Sequence, residues 1–168
     1  MKEFRKRKGA TNGSWRTDET YIKIKGKWYY LYRAVDKYGD TVDFLLRAKR
    51  DKKAAKAFFK KAIKWNGQPH KINMDKSGTN KAGITAINKE YPEDKRIVIR
   101  QEKYINNIIE GDHRFIKKRA ITYSGGFRRS DRARQMITSI ELVHMISKQQ
   151  LTNSHSYKSP ILTQRLYP

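Results

Sequence analysis

The sequence contains no cysteine. Structural disulfides and cysteine-based zinc sites are therefore excluded, and a reducing compartment suits the chain. The four histidines show no spacing with acidic residues that suggests zinc. Long apolar runs are also missing. Nothing approaches the roughly 20 residues needed to span a bilayer, and no basic amphipathic helix stands alone for a membrane surface. The start, Met1 to Gly9, is charged and lacks the apolar centre of a signal peptide. A cytoplasmic protein without a membrane partner is expected. Acidic residues are scarce: 16 Asp and Glu stand against 39 Lys and Arg, a formal net charge of +23. A charge of this size favours a polyanion, and nucleic acid is the first candidate.

What is present suffices for one domain with a single sizeable core. Residues 1–13 are basic, then small and polar, and read as a linker or disordered end. Trp15 to Leu46 is rich in Tyr, Trp, Ile, Val and Thr, the strand-preferring types. Turn signals at Lys25-Gly26-Lys27 and Asp36 to Asp40 divide it into a three-stranded antiparallel meander. Asp51 suits the N-cap of a helix whose apolar positions are Ala55, Phe58, Phe59, Ala62 and Trp65. A short strand, His70–Met74, ends at Asp75. A weaker helix starts near Ser77, Pro92 interrupts the chain, and Arg96–Arg100 is a fifth strand. Two helices follow, one through Asn106–Arg119 and one over about Ser130–Lys148. The last shows Ala133, Met136, Ile137, Ile140 and Val143 on its apolar face. Residues 151–168 form a polar tail. A meander feeding strand–helix alternation implies an α/β domain over residues 14–150. Its expected form is a ribonuclease-H-like mixed five-stranded sheet with helices on both faces.

Three acids occupy informative places in that order. Asp18 lies in the first strand, Asp75 ends the fourth, and Glu110 sits in the helix after the fifth, with 34 residues between the last two. If strands one and four are neighbours, Asp18 and Asp75 reach one crevice, and a helix across that edge presents Glu110 to both. Three close carboxylates repel and raise one another's pKa unless cations join them. Oxygen ligands suit Mg²⁺ or Mn²⁺, and a pair of such ions clamps the attacking and leaving oxygens of a phosphoryl transfer. Helical spacing puts Asn106, Asn107, His113, Arg114 and Lys117 on the face of Glu110, as amides and cations for phosphates. Ile105, Ile108, Ile109 and Ile116 lie on or beside the buried stripe.

The stretch from Trp15-Arg16-Thr17-Asp18-Glu19-Thr20-Tyr21 to Tyr32-Arg33-Ala34-Val35-Asp36 resembles the start of a bacterial transposase catalytic domain. The resemblance is to the insertion-sequence-six family, within the DDE transposase and retroviral integrase superfamily. Arg50 to Phe58, Asp75-Lys76, Lys103 to Glu110 with Asp112 to Lys117, and Ile140 to Ile146 extend it over roughly residues 14–149. The resemblance implies that Asp18, Asp75 and Glu110 are the catalytic, metal-holding triad, with two Mg²⁺ or Mn²⁺ ions. It implies that Lys117, one helical repeat after Glu110, contacts substrate DNA, and Lys76 beside Asp75 joins the DNA-contact candidates. Family members cleave DNA at element ends and join the freed 3′-hydroxyl to target DNA. They work as dimers or higher multimers on DNA in the bacterial cytoplasm, associated with the nucleoid. Full-length members carry a helix-turn-helix region ahead of the catalytic domain, and this chain is expected to begin in the linker after it.

Two other readings share these residues: a truncated, non-catalytic DNA-binding remnant, and a ribonuclease-H-fold nuclease. The remaining residues have local expectations. Alternation turns Glu19 away from Asp18 as an ordinary edge residue, and Asp43 alternates toward solvent. Asp36 and Asp40 serve a turn, Asp112 serves its helix, and His144 packs. The Tyr and Trp residues of the meander are expected in core and sheet surface. The Lys-rich face of residues 52–64 is either solvated or tracks a DNA backbone.

Overall fold

A computed structural model describes residues 6–76, 78–102, 107–124 and 127–151, with 107, 108, 112 and 120–124 as backbone only. Its elements are β1 (Ser14–Ile24), β2 (Lys27–Asp36), β3 (Thr41–Arg47), α1 (Lys52–Asn66), β4 (Lys71–Met74), α2 (Gly78–Asn88), β5 (Val98–Gln101), α3 (Asn107–Ser124) and α4 (Ser130–Ser147). The sheet order is β3-β2-β1-β4-β5. The first three strands form the antiparallel meander, and β4 and β5 continue in parallel beside β1. Among the described residues, no helix is long and apolar enough to cross a membrane.

Local chemistry accounts for the joints. Lys25 and Gly26 both take positive φ, 48° and 76°. Two successive left-handed residues match the twist of a tight hairpin, and glycine adopts them without steric cost. At the next turn the Asp36 carboxylate accepts hydrogen bonds from the backbone N–H groups of Tyr38 and Asp40, and also from Asn12. Asp51 caps α1 by accepting from the Ala54 N–H at 2.7 Å, which satisfies an otherwise unpaired donor. Gly83 lets α2 lie against α1: a Cβ there would stand 2.8 Å from the Cβ of Ala55.

Strand alternation separates two cores. On one face, Trp15, Tyr32, Ala34 and Ile72 pack with Phe58 and Phe59 of α1 and Ile84 of α2. On the other, Ile22, Leu31, Phe44 and Leu46 pack with Ile116 of α3 and with Ala133, Ile137 and Ile140 of α4. A bulge in β3 shifts the register between Ala34 and Val35. The extra residue there, Val42, joins the first core although Phe44 joins the second, as a one-residue insertion reverses the side-chain parity.

Several local expectations are corrected. Asp43 is buried rather than solvent-facing, held by Lys61 at 3.1 Å and by the N–H of Phe44. Trp65 and Val143 are exposed. Ala133, Ile137 and Ile140 of the expected stripe of α4 are buried and His144 packs as expected, but the buried face turns toward Glu141 and Met145 rather than Val143. The reason is a partner: Arg33 of β2 meets Glu141 through two hydrogen bonds, 2.6 and 3.0 Å, with both side chains 0% exposed. His144, one turn on, lies against the ring of Phe115 of α3 at 4.0 Å between centroids. Gly9 donates to the Gln150 carbonyl and Lys8 reaches the Val42 carbonyl, so residues 8 and 9 run beside the end of α4 and β3.

Candidate active site at the edge of the parallel strands

β1 and β4 pair in parallel until Thr17 meets Met74. The next residue of each chain is an aspartate, Asp18 and Asp75, so the register alone sets them side by side where β4 ends. β1 continues past that point with an open edge, and α3 lies across it. The cleft between them, about 500 Å³, is lined on the strand side by Asp18, Glu19, Thr20 and Tyr21. On the helix side it is lined by Glu110, His113, Arg114, Lys117 and Lys118.

Carboxylate oxygens of Asp18, Glu19 and Asp75 all lie within 4.8 Å of one another. Glu19 is the member that sequence reasoning set aside. Alternation does turn it to the other face from Asp18, but Asp75 lies beyond the last residue of β4, at the sheet's rim, where both faces are within reach. Its side chain is 3% exposed and is held by Arg50, whose Nε donates to Glu19 Oε1 at 3.3 Å. The pair Asp18-Glu19 was the only sequence signal for it. Glu110 stands on the helix side of the cleft, in the first turn of α3 and outside that tight group.

Electrostatics follow from this crowding. The Asp18 carboxyl is pushed up to about 7, first by burial, then by the charges of Asp75, Glu19 and Glu110; the N–H of Glu19 opposes the shift. Burial also raises Glu19, and the Arg50 guanidinium opposes it. A half-buried acid with three acidic neighbours is the environment a bound cation relieves. The donors are all carboxylate oxygens, which suits a hard divalent ion such as Mg²⁺ or Mn²⁺. The residues therefore fit such a metal.

His113 sits between the carboxylates and the basic residues. Its side chain is 9% exposed, and Nδ1 lies 3.5 Å from Asp18 Oδ2. Arg114, Lys117 and Lys118 are exposed on the same wall. Lys76 is exposed beside Asp75. Asn106 and the side chains of Asn107 and Asp112 lie outside the described residues. Behind the site, Asp18 is opposite Arg33 in the β1–β2 register. The buried Arg33–Glu141 pair thus ties α4 to β2, the strand paired with the one that carries Asp18.

A family profile described as a DDE domain matches residues 12–150. The chain is 42% identical over 134 residues to the transposase for insertion sequence-like element IS431mec of Staphylococcus aureus. It is equally similar to the transposase for insertion sequence element IS257 in transposon Tn4003, from the same organism. These alignments cover 80% of this chain and 58% of each relative, so the chain spans a little over half the length of the curated relatives it matches. Among solved structures, the HTLV-2 integrase catalytic core domain in complex with magnesium (dimeric form) superimposes with a TM-score of 0.59 at 20% identity. That match covers 80% of this chain and 86% of the integrase core. The catalytic core domain of BIV integrase gives 0.56 at 14% identity, covering 79% and 82%. The fold is thus ribonuclease-H-like, as the order of elements led us to expect, and the chain belongs to the DDE-domain family of insertion-sequence transposases.

Proposed function

We propose that residues 14–150 form a DNA transposase catalytic domain that cleaves DNA at insertion-sequence ends and transfers the 3′-hydroxyl to target DNA. The observation that carries this reading is the carboxylate group at the end of paired β1 and β4, facing Glu110 and three basic residues across one open cleft. Asp18 and Asp75, with Glu110 from α3, are the proposed ligands of two Mg²⁺ or Mn²⁺ ions. When bound, such ions activate a water or 3′-hydroxyl and stabilise the departing oxygen. Asp18 gives up its proton when the site is loaded, because a ligating carboxylate must be ionised. Arg114, Lys117 and Lys118, with Lys76 at the rim, neutralise the phosphates of the strand in the cleft. His113 holds the Asp18 carboxylate from the helix side, and Arg50 holds Glu19 from the other. Transfer proceeds without a covalent protein intermediate. The integrase core described in a dimeric form supports a dimer or higher multimer of this chain on paired DNA ends.

The test is Mg²⁺- or Mn²⁺-dependent strand transfer from pre-nicked element-end DNA, comparing the intact chain with Asp75→Ala. Product from the intact chain alone is expected. Equal behaviour of the two proteins sinks the catalytic claim. A second reading, DNA binding without catalysis, is favoured by one fact: the net charge of +23 suits a polyanion whether or not metals bind. It predicts DNA binding that falls steeply with salt and no metal-dependent product.

A further inference from the structure

The cleft does not stop at the carboxylates. Tyr21 lines it beside Glu19 and opens onto the β1–β2 hairpin. In the hairpin register Tyr21 is opposite Tyr30, and Lys23 is opposite Trp28. Alternation puts these four side chains on one face, the same face as Glu19 and Tyr32. Tyr32 is covered by Phe58 of α1, with ring centroids 5.8 Å apart. Beyond it Tyr30 is half-buried at the margin of that core, and the aromatic row continues into the open at Tyr21 and Trp28. Tyr21 is 47% exposed and Trp28 56%. Tyr21 meets Tyr30 edge-on at 5.5 Å and Trp28 edge-on at 6.3 Å.

Cross-strand aromatic pairs stabilise a hairpin only modestly, which does not account for leaving an indole in water at its end. The charge around it is one-sided. Lys23, Lys25 and Lys27 are exposed along the hairpin, the Lys23 ammonium lies 5.6 Å from the Trp28 ring centre, and no acid occurs between Glu19 and Asp36. A second copy of this face would bring lysines against lysines, whereas a polyanion with π-faces complements both components. From Glu19 to Lys23 the strand rises about 13 Å, the length of up to about four stacked nucleotides at 3.4 Å each.

We propose that the Tyr21–Trp28–Tyr30 face is a stacking site for unpaired bases of the DNA strand whose phosphodiester lies in the carboxylate cleft. The rings take the bases and Lys23, Lys25 and Lys27 take the phosphates. This rests on the cleft being a DNA site, and it adds a requirement: the DNA next to the reacting bond is held single-stranded, so frayed or unpaired ends bind better than blunt duplex.

Tryptophan emission gives a direct probe, because Trp15 is buried and a Trp65→Phe background leaves Trp28 as the exposed reporter. The intact 168-residue chain is titrated with a short homothymidine oligonucleotide and with blunt duplex of equal length. Single-strand binding is expected to quench Trp28. Read by the fluorescence anisotropy of a dye-labelled oligonucleotide, Trp28→Ala and Tyr21→Ala are expected to weaken single-strand binding roughly tenfold or more, with a smaller loss for the duplex. Trp28→Phe and Tyr21→Phe retain a ring and restore the affinity, which separates stacking from damage to the fold. The stacking site is overturned if Trp28→Ala binds the single strand as tightly as the parent. It is also overturned if the emission changes with protein concentration alone, which would make the face a contact between copies. The strand-transfer assay with Asp75→Ala reports separately. Quenching without metal-dependent product leaves the stacking site standing and removes the catalytic reading.

Discussion

Under α1 and α2 the sheet presents rings and methyl groups: Trp15, Tyr32, Ala34 and Ile72 meet Phe58, Phe59 and Ile84. Under α3 and α4 the same strands turn over, and their buried residues include Arg33 together with Glu141, His113 and His144 from the helices. The first face is held mainly by apolar area, which is non-directional and tolerant of repacking, with the Asp43–Lys61 pair at its margin. The second is held in part by paired charge and ring contacts, which have direction and fail when one partner is lost. The candidate site lies where the two faces meet at the rim of β1. The directional face carries the helix that brings Glu110 and the basic residues, so precision is concentrated where chemistry needs it.

The largest test of that contrast is Glu141→Ala. It leaves the Arg33 guanidinium buried without its carboxylate and is expected to cost about 3–5 kcal/mol in denaturant unfolding. Replacing both residues by apolar side chains of similar volume, Arg33→Met with Glu141→Leu, is expected to recover most of that loss. A double variant as unstable as Glu141→Ala would show that charge itself is needed there. On the first face Phe58→Ala is expected to cost a similar 3–5 kcal/mol through transfer and cavity terms. There the difference is in rescue, since Phe58→Leu should regain most of it without any partner change.

A smaller effect is pH-dependent. In metal-free buffer the unfolded Asp18 ionises near 3.8, while the folded one keeps its proton to about 7. The folded state therefore binds more protons across that window, and stability falls as pH rises through it. Asp18→Asn removes this penalty. Its unfolding free energy should draw ahead of the parent's between those values and stay ahead above them, by about 2 kcal/mol once screening in the open cleft is counted. Adding Mg²⁺ should erase the advantage. A difference that does not vary with pH would contradict the crowding of carboxylates. The smallest effect is Asp51→Ala, expected to cost about 1 kcal/mol by removing the cap of α1.

Much of the fold was legible because its signals are local. The Lys25-Gly26 turn, the Asp51 cap and the period of Phe58, Phe59 and Ala62 each act within a few residues. The candidates Asp18, Asp75 and Glu110 were legible as places in an order of strands and helices. What could not be read depended on residues far apart. Asp43 looked outward because its face is covered only once α1 packs there and Lys61 meets it. The partner of Glu141 could not be read locally, because Arg33 lies 108 positions away. Glu19 looked turned away because alternation describes a strand, not its neighbour's end.

By itself, then, the sequence determined the element types, the two apolar periodicities, the excess of positive charge and the list of acids available for a metal. These follow from side-chain shape, backbone preference and formal charge, which each residue carries regardless of distant neighbours. The tertiary structure decided which acids stand together, that Asp18 holds its proton to about 7, and that an aromatic row emerges uncovered beside them. Those outcomes depend on burial and on distances between chain segments, and both exist only once β1, β4 and α3 have been brought to one edge.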